Sequence, residues 1–295
     1  MSRAWRLLCV TILVFFPWGQ ESAAGAQTAA NRPLPDVTAM MHAVEAHQRQ
    51  DELTLKNYIY RQTQTVDEAD GHGGVKRREV RVYDVFWLQG VPVRKMVSKD
   101  GRPLTPDELK KEDGRIDKEV KSAREKREKN DGKGKETDPR GNEEVTVSRI
   151  LELGTFSNPR RVKIAGRDAI AVDYAGDPKA KTRNRAEEVI RDLVGTVWVD
   201  EEDDEVVKTD ARFNRSFKIG GGLVANIKEG TTFEMEQRKI NGEVWLPTVF
   251  EGRGSARFLL FFSLNGSARV VDENFRKFKA TSTLLPGVGT VEDQP

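Results

Sequence analysis

The chain has 295 residues, 37% of them hydrophobic and 33% charged, and its 49 basic and 47 acidic side chains leave a formal net charge of +2. So even a balance gives no electrostatic case for nucleic acid, which wants a clustered basic face. Ordinary domains are about 45–50% apolar with glycine counted and ~25% charged, so this core is thin, which argues against a doubly wound parallel sheet with strands apolar on both faces.

The first predicted element is a cleavable secretory signal over residues 1–26. Arg3 and Arg6 form a short positive region, Leu7 to Phe16 an apolar run, and Ala24-Gly25-Ala26 the small-x-small pattern of a cleavage site, with Gln27 the first mature residue. An apolar run of about ten residues is half what a bilayer-spanning helix needs, so the reading is export without a permanent membrane anchor, to the periplasm or beyond. Cys9 is the only cysteine and leaves with the signal. The mature chain, residues 27–295, is therefore expected to lack thiols, disulfides and a lipid anchor.

Asp36 precedes Val37, Met40, Met41 and Val44 at helical spacing, which predicts a capped helix of up to about twenty residues. From Tyr58 the period becomes two. Val80, Val82, Phe86 and Leu88 share one face of a strand interrupted by Asp84, which is read as a residue re-aimed by a bulge in preference to a buried carboxylate. Thr105-Pro106-Asp107-Glu108 is a capping box with proline at the first helical position. Behind it only Leu109, Ile116, Val120 and Ala123 are apolar. Residues 124–144 have almost no apolar surface to offset ordering entropy, so they are expected to form a charged, mobile insertion.

A short apolar segment at Val145–Leu153 precedes two strands joined at Ala165-Gly166, a third helix over Arg183–Leu193, "TVWVD", an acidic turn, and a strand from Val206 to Phe217. Asn241-Gly242 and Asn265-Gly266 are both read as two-residue hairpin turns, because these residues tolerate positive φ. The count is about ten strands, mostly paired as neighbours, with one helix before them and two inserted. The predicted class is α+β, in a single domain over 27–295.

Catalytic motifs are lacking. His42 and His47 are five apart, too far round a helix to share a ligand. No G-x-S-x-G string occurs, and Gly220-Gly221-Gly222 lacks the Lys-Ser/Thr of a phosphate loop. The acidic run from Asp200 to Glu205 reads as a solvated turn rather than a calcium loop. Catalytic residues, metals and cofactors are all expected to be none.

The strings "DGRPLTPDELKKE", "GTVWVD", "NGEVWLP" and "ENFRKF" resemble those of a group of exported bacterial proteins with the fold of the periplasmic lipoprotein carriers, the LolA/LolB type, shared by the RseB-like envelope-stress regulators. The resemblance covers most of residues 36–280. It implies a large antiparallel, incompletely closed barrel whose apolar concave side is covered by helices and receives acyl chains. It transfers no catalytic residue, and the charged insertion departs from the carriers.

Two functions follow as expectations. The first is a non-catalytic carrier or binder of a lipid or acylated protein, with Met40, Met41, Phe213, Phe217, Phe233, Met235, Leu246 and Phe250 lining one hydrophobic cavity beneath the first helix. Ordinary packing of these residues against the helices is the competing reading, since a half-buried sheet must bury one face. The second is a regulatory or scaffolding module that binds another envelope protein through the charged helix and insertion.

Overall fold

The computed structural model describes residues 32–278, apart from 73, 133–136, 143–144, 220–224 and 259–261; the signal segment lies outside the described residues. Helix α1 (Val37–Leu55) starts as expected, with the Asp36 carboxylate accepting from the Ala39 amide at 2.8 Å. Strands β1 (Tyr58–Ala69), β2 (Val75–Leu88), β3 (Val91–Lys99) and the short β4 (Arg102–Pro103) follow as a meander. Helix α2 (Pro106–Asp131) opens on the capping box, Thr105 and Glu108 satisfying each other's backbone amides. Helix α3 (Val147–Leu153), β5 (Gly154–Ile164), β6 (Arg167–Gly176), α4 (Arg185–Ile190), β7 (Leu193–Asp200) and β8 (Glu205–Phe213) come next. The chain closes with the short β9 (Phe217–Ile219) and β10 (Ala225–Ile227), then β11 (Thr232–Ile240), β12 (Val244–Phe258) and β13 (Phe262–Lys277).

The main path of the sheet runs β4-β3-β2-β1-β13-β12-β11-β8-β7-β6-β5, every neighbouring pair antiparallel. Its end strands β4 and β5 do not pair with each other, so the sheet is an incompletely closed barrel and the class is α+β. From Pro35 onward the described residues gather into one compact unit.

Five details differ from the expectations. Val147–Leu153, within a segment with no assigned element, is a helix capped by Thr146. The strand expected from Val206 to Phe217 ends at Phe213, and Phe217 begins a separate strand. Asn241-Gly242 is a turn, with φ of 53° and 73° and the Glu243 amide donating to the Ile240 carbonyl. Asn265-Gly266 is not: it lies inside β13, where Gly254 pairs with Gly266, and the ladder continues past it to the Phe258–Phe262 pair. A Cβ on Gly266 would come within 2.0 Å of the Asp67 carbonyl oxygen of β1, so this glycine serves close backbone approach.

The fourth correction concerns the charged stretch. Helix α2 continues to Asp131, through residues assigned above to the insertion. Its narrow apolar stripe packs on Val91 and Val93, and polar side chains also satisfy the exposed edge of β3. Along that edge the Arg94 carbonyl accepts from Arg115 and the Met96 amide donates to Glu112, while the Gly90 carbonyl in the turn before β3 accepts from Arg127 and the Pro92 carbonyl from Arg140, beyond the helix. Residues two apart present backbone groups to the same side of a strand, so these side chains stand in for a missing neighbouring strand. The edge of β5 is guarded differently, by a bulge at Asn158 (φ 54°) ahead of Pro159. Asp84 is paired with Arg61 of β1 at 2.7 Å, and the bulge beside it lies in β3, where Val97 is skipped between Ser98 and Met96, so β2 itself keeps its alternation and the ion pair, not a re-aimed strand, accommodates the carboxylate.

Candidate functional site

Period-two alternation sends Ile170, Val172, Val197, Val199 and Met235 to the face under α1, and Ala169, Val207, Trp198 and Trp245 to the other. The first set packs on Met40, Met41 and Val44 of α1 and Val147 of α3. Helix α3 is placed by a buried ion pair. The Arg149 guanidinium reaches both carboxylate oxygens of Glu187 at 3.0 Å, and Glu187 also accepts from the Arg183 amide at 2.6 Å. The guanidinium holds the Glu187 carboxyl below the usual carboxylate range.

Between α1, α3, α4 and the sheet lies an apolar groove of about 230 Å³. Its roof is Met41, Val44 and Gln48; its floor includes Val197, Val206, Phe233 and Met235; Phe156 and Tyr174 form one wall. Burial alone pushes the Tyr174 phenol up to about 12, so its hydroxyl is a neutral donor, directed at the Ile190 carbonyl. Few polar side chains border the groove, so it is suited to an apolar chain.

Of the eight residues expected in one cavity, Met41, Phe233 and Met235 line this groove together. Met40 is buried beside it in the same cluster. The rest do not line it. Phe213 and Phe217 pack on Ile227 of β10 and Val189 of α4, adjoining the groove through Leu193 and Phe233. Leu246 is sealed with Tyr58, Val244 and Leu55 under the C-terminal end of α1. Phe250 is 41% exposed, its ring stacked on Phe233 at a centroid distance of 6.3 Å. The reason lies in the register of β12. A shift opposite Glu236/Gln237 divides the strand, so Leu246 and Phe250 meet different neighbours, which alternation alone does not encode. Phe156, Tyr174 and Leu193 were missed because their strands reach the groove from distant parts of the chain.

Among the described residues no cluster of His, Cys, Asp or Glu is arranged to hold a metal ion, and no helix is long and apolar enough to cross a membrane.

The chain matches no family model and no curated protein. Among solved structures it is similar to a domain described as an outer membrane lipoprotein-sorting protein from Vibrio parahaemolyticus, at 10% identity and a TM-score of 0.39, over 84% of this chain and 96% of that one. It is also similar to a LolA superfamily protein from Nitrosomonas europaea, at 10% identity and a TM-score of 0.33, over 83% of this chain and 94% of that one. A third is MucB, solved in complex with MucA(peri), at 13% identity and a TM-score of 0.24, over 83% of this chain and all of that one. All three fall in the LolA/RseB-like fold group that the sequence strings resemble. Overlap this low carries no functional argument, so the reading below rests on the groove.

Proposed function

We propose that this chain is an exported, non-catalytic binder of a hydrophobic chain in the cell envelope, taking part of an acyl tail of a lipid or acylated protein into the groove under α1. The observation that carries this reading is a groove lined by Met41, Val197, Phe233 and Met235 with a helix as its roof. Methionine is unbranched and adaptable, so Met41 can repack as a chain enters. The groove has room for about eight groups of water or methylene size, at ~30 Å³ each. Eight buried methylenes supply roughly 6 kcal/mol gross at ~0.8 kcal/mol each, enough for weak, reversible capture.

That size also supports a second reading. A typical ligand pocket is ~300–1,000 Å³, and a whole long acyl chain would require α1 to move outward. A smaller groove suits one apolar side chain of a protein partner, as a regulatory module that also offers its charged α2 would need.

The test is uptake of a fluorescent fatty acid, alongside mass spectrometry of a solvent extract of the purified protein. Wild type should bind the probe saturably at roughly tens to hundreds of micromolar, as about 6 kcal/mol gross allows, and carry lipid. Phe233→Asp should lose uptake while circular dichroism stays unchanged, because it puts an unpaired charge where the chain must lie. Absence of both lipid and uptake in wild type would discard the acyl reading in favour of the protein-binding one.

A further inference from the structure

The larger cavity is on the opposite face of the sheet, which the helix-covered groove does not use. The ladder between β8 and β11 stops at Lys208 and Glu236, although β8 begins at Glu205 and β11 continues to Ile240. Two register shifts, at Trp198/Val199 and at Glu236/Gln237, sit beside this point and steer the strands apart. Bulges of this kind locally increase twist and end pairing. The fork they create holds a cavity of about 540 Å³, within the ~300–1,000 Å³ range of small-molecule sites.

Its floor is apolar: Ile164, Ala169, Val207 and the Trp245 ring. Its rim is charged, with Arg167, Lys208, Arg238 and Lys239 against Asp200 and Glu236. Three of the four cations are already engaged. Arg167 is held by Asp200 at 2.5 and 2.7 Å and lies over the Trp245 ring, Lys239 is held by Asp203 at 2.9 Å, and Lys208 by Glu234 at 2.5 Å. Those contacts position the wall and fix the tryptophan, whose indole N–H also donates to Asp203 at 3.1 Å. Arg238 is exposed and has no carboxylate partner among the described residues. It is the one cation of the four left to meet an incoming anion, and it projects from the strand that borders the apolar floor.

We propose that this fork is a second binding site, for a small anionic amphiphile whose apolar body lies against Trp245, Val207 and Ala169 and whose carboxylate, sulfonate or phosphate is met by Arg238. The site is independent of the acyl-chain reading, since it uses the other face of the sheet. Glu236, two residues from Arg238 on the same face of β11, opposes the same anion and so supplies a control of opposite sign.

The probe is anilinonaphthalene sulfonate, a naphthalene ring bearing one anionic group. Titration of the wild type should show saturable binding of one equivalent with energy transfer from tryptophan. Arg238→Gln should weaken it about tenfold, Glu236→Gln should tighten it, and Phe233→Asp in the groove should leave it unchanged. Both rim positions are in contact with solvent, so neither replacement threatens the fold. Sedimentation with phosphatidylglycerol vesicles separates two sources of the anion: Arg238-dependent sedimentation indicates a lipid headgroup, and soluble probe binding without sedimentation a free organic acid. The inference is overturned if the wild type does not bind the probe, if Arg238→Gln and Glu236→Gln do not act in opposite directions, or if Phe233→Asp alone abolishes binding.

Discussion

The two wings of this sheet are covered by helices of different character. Over β5–β8, α1 lays Met40, Met41 and Val44 on the face of the sheet, all nearly fully buried, and α3 is fastened beside it by the buried Arg149–Glu187 pair. Beside β1–β4, α2 has only Ile116, Val120 and Ala123 to bury, which pack on Val91, Val93, Phe86 and Leu88, and its polar side chains reach the backbone along the edge of β3 as well. A helix rich in apolar surface is placed by burial, so it covers a face and leaves a groove where packing is incomplete. A helix poor in apolar surface is fastened by backbone groups that need partners as well as by burial, and the cavity of about 230 Å³ beside it is bordered by charged side chains, among them Asp117, Lys121 and Glu125. The apolar groove lies on the α1 side, where the helix contributes Met41 and Val44 to its roof.

The largest expected effect tests the fastening of the first wing. Arg149→Met leaves Glu187, 3% exposed at its side chain, buried without its cation, and breaking a buried pair in this way costs about 3–5 kcal/mol. Urea denaturation should show a large drop in midpoint for the whole cooperative transition. A loss below about 1 kcal/mol would mean that Glu187 finds water or takes up a proton, and that apolar packing alone places α3.

On the other wing, Glu112→Ala should act locally. It removes the acceptor of the Met96 amide and one carboxylate partner of Arg115, an expected loss of about 1–3 kcal/mol. Hydrogen exchange should speed up along β3 and α2 while β6 and β7 keep their protection. Uniform acceleration across both wings would erase the distinction between the two helices.

The smallest effect per step of the variable is pH dependence, where α1 meets the β7–β8 turn. Glu205 is 3% exposed, and burial together with the negative charges of Asp51, Asp203 and Asp204 pushes its carboxyl up to about 8. Asp51 is raised as well, chiefly by burial, while its carboxylate accepts from the Trp245 amide. His47, Lys239 and Arg167 border the same junction through Asp203. The folded chain keeps the Glu205 proton up to about pH 8, whereas the unfolded chain releases it near 4.5. Its stabilising contribution is therefore complete below pH 4.5 and is lost as pH rises through 8, with a slope of at most about 1.4 kcal/mol per pH unit for one proton. Stability measured at pH 5 and pH 8.5 should fall in the wild type and fall less in Glu205→Gln. An unchanged slope in that variant would assign the dependence to other groups, such as Asp272, which burial pushes up to about 6.

Much of the local structure is written in short strings. Asp36 and the Thr105–Glu108 box start helices where their side chains satisfy free amides, and Asn241-Gly242 turns where both residues adopt positive φ. The alternation in "TTFEMEQR" puts Phe233 and Met235 on one face, and both line the groove. Asn265-Gly266 shows the limit: the same dipeptide that turns a hairpin also permits close strand approach, and only the neighbouring β1 decides between them. Likewise, residues 124–131 lack apolar surface, which argued for mobility, but the turn between β2 and β3 gives their arginines the Gln89 side chain and the Gly90 carbonyl to hold.

The sequence by itself determined the class, the capped helices, the antiparallel character and which residues of each strand face together, because these depend on contacts within a few positions of the chain. Only the tertiary structure decided that Met41, Phe233 and Met235 share a groove while Leu246 and Phe250 do not, and that β8 and β11 part to form a second cavity. Those outcomes depend on ladder register between segments far apart in sequence, and a bulge of one residue is enough to change them.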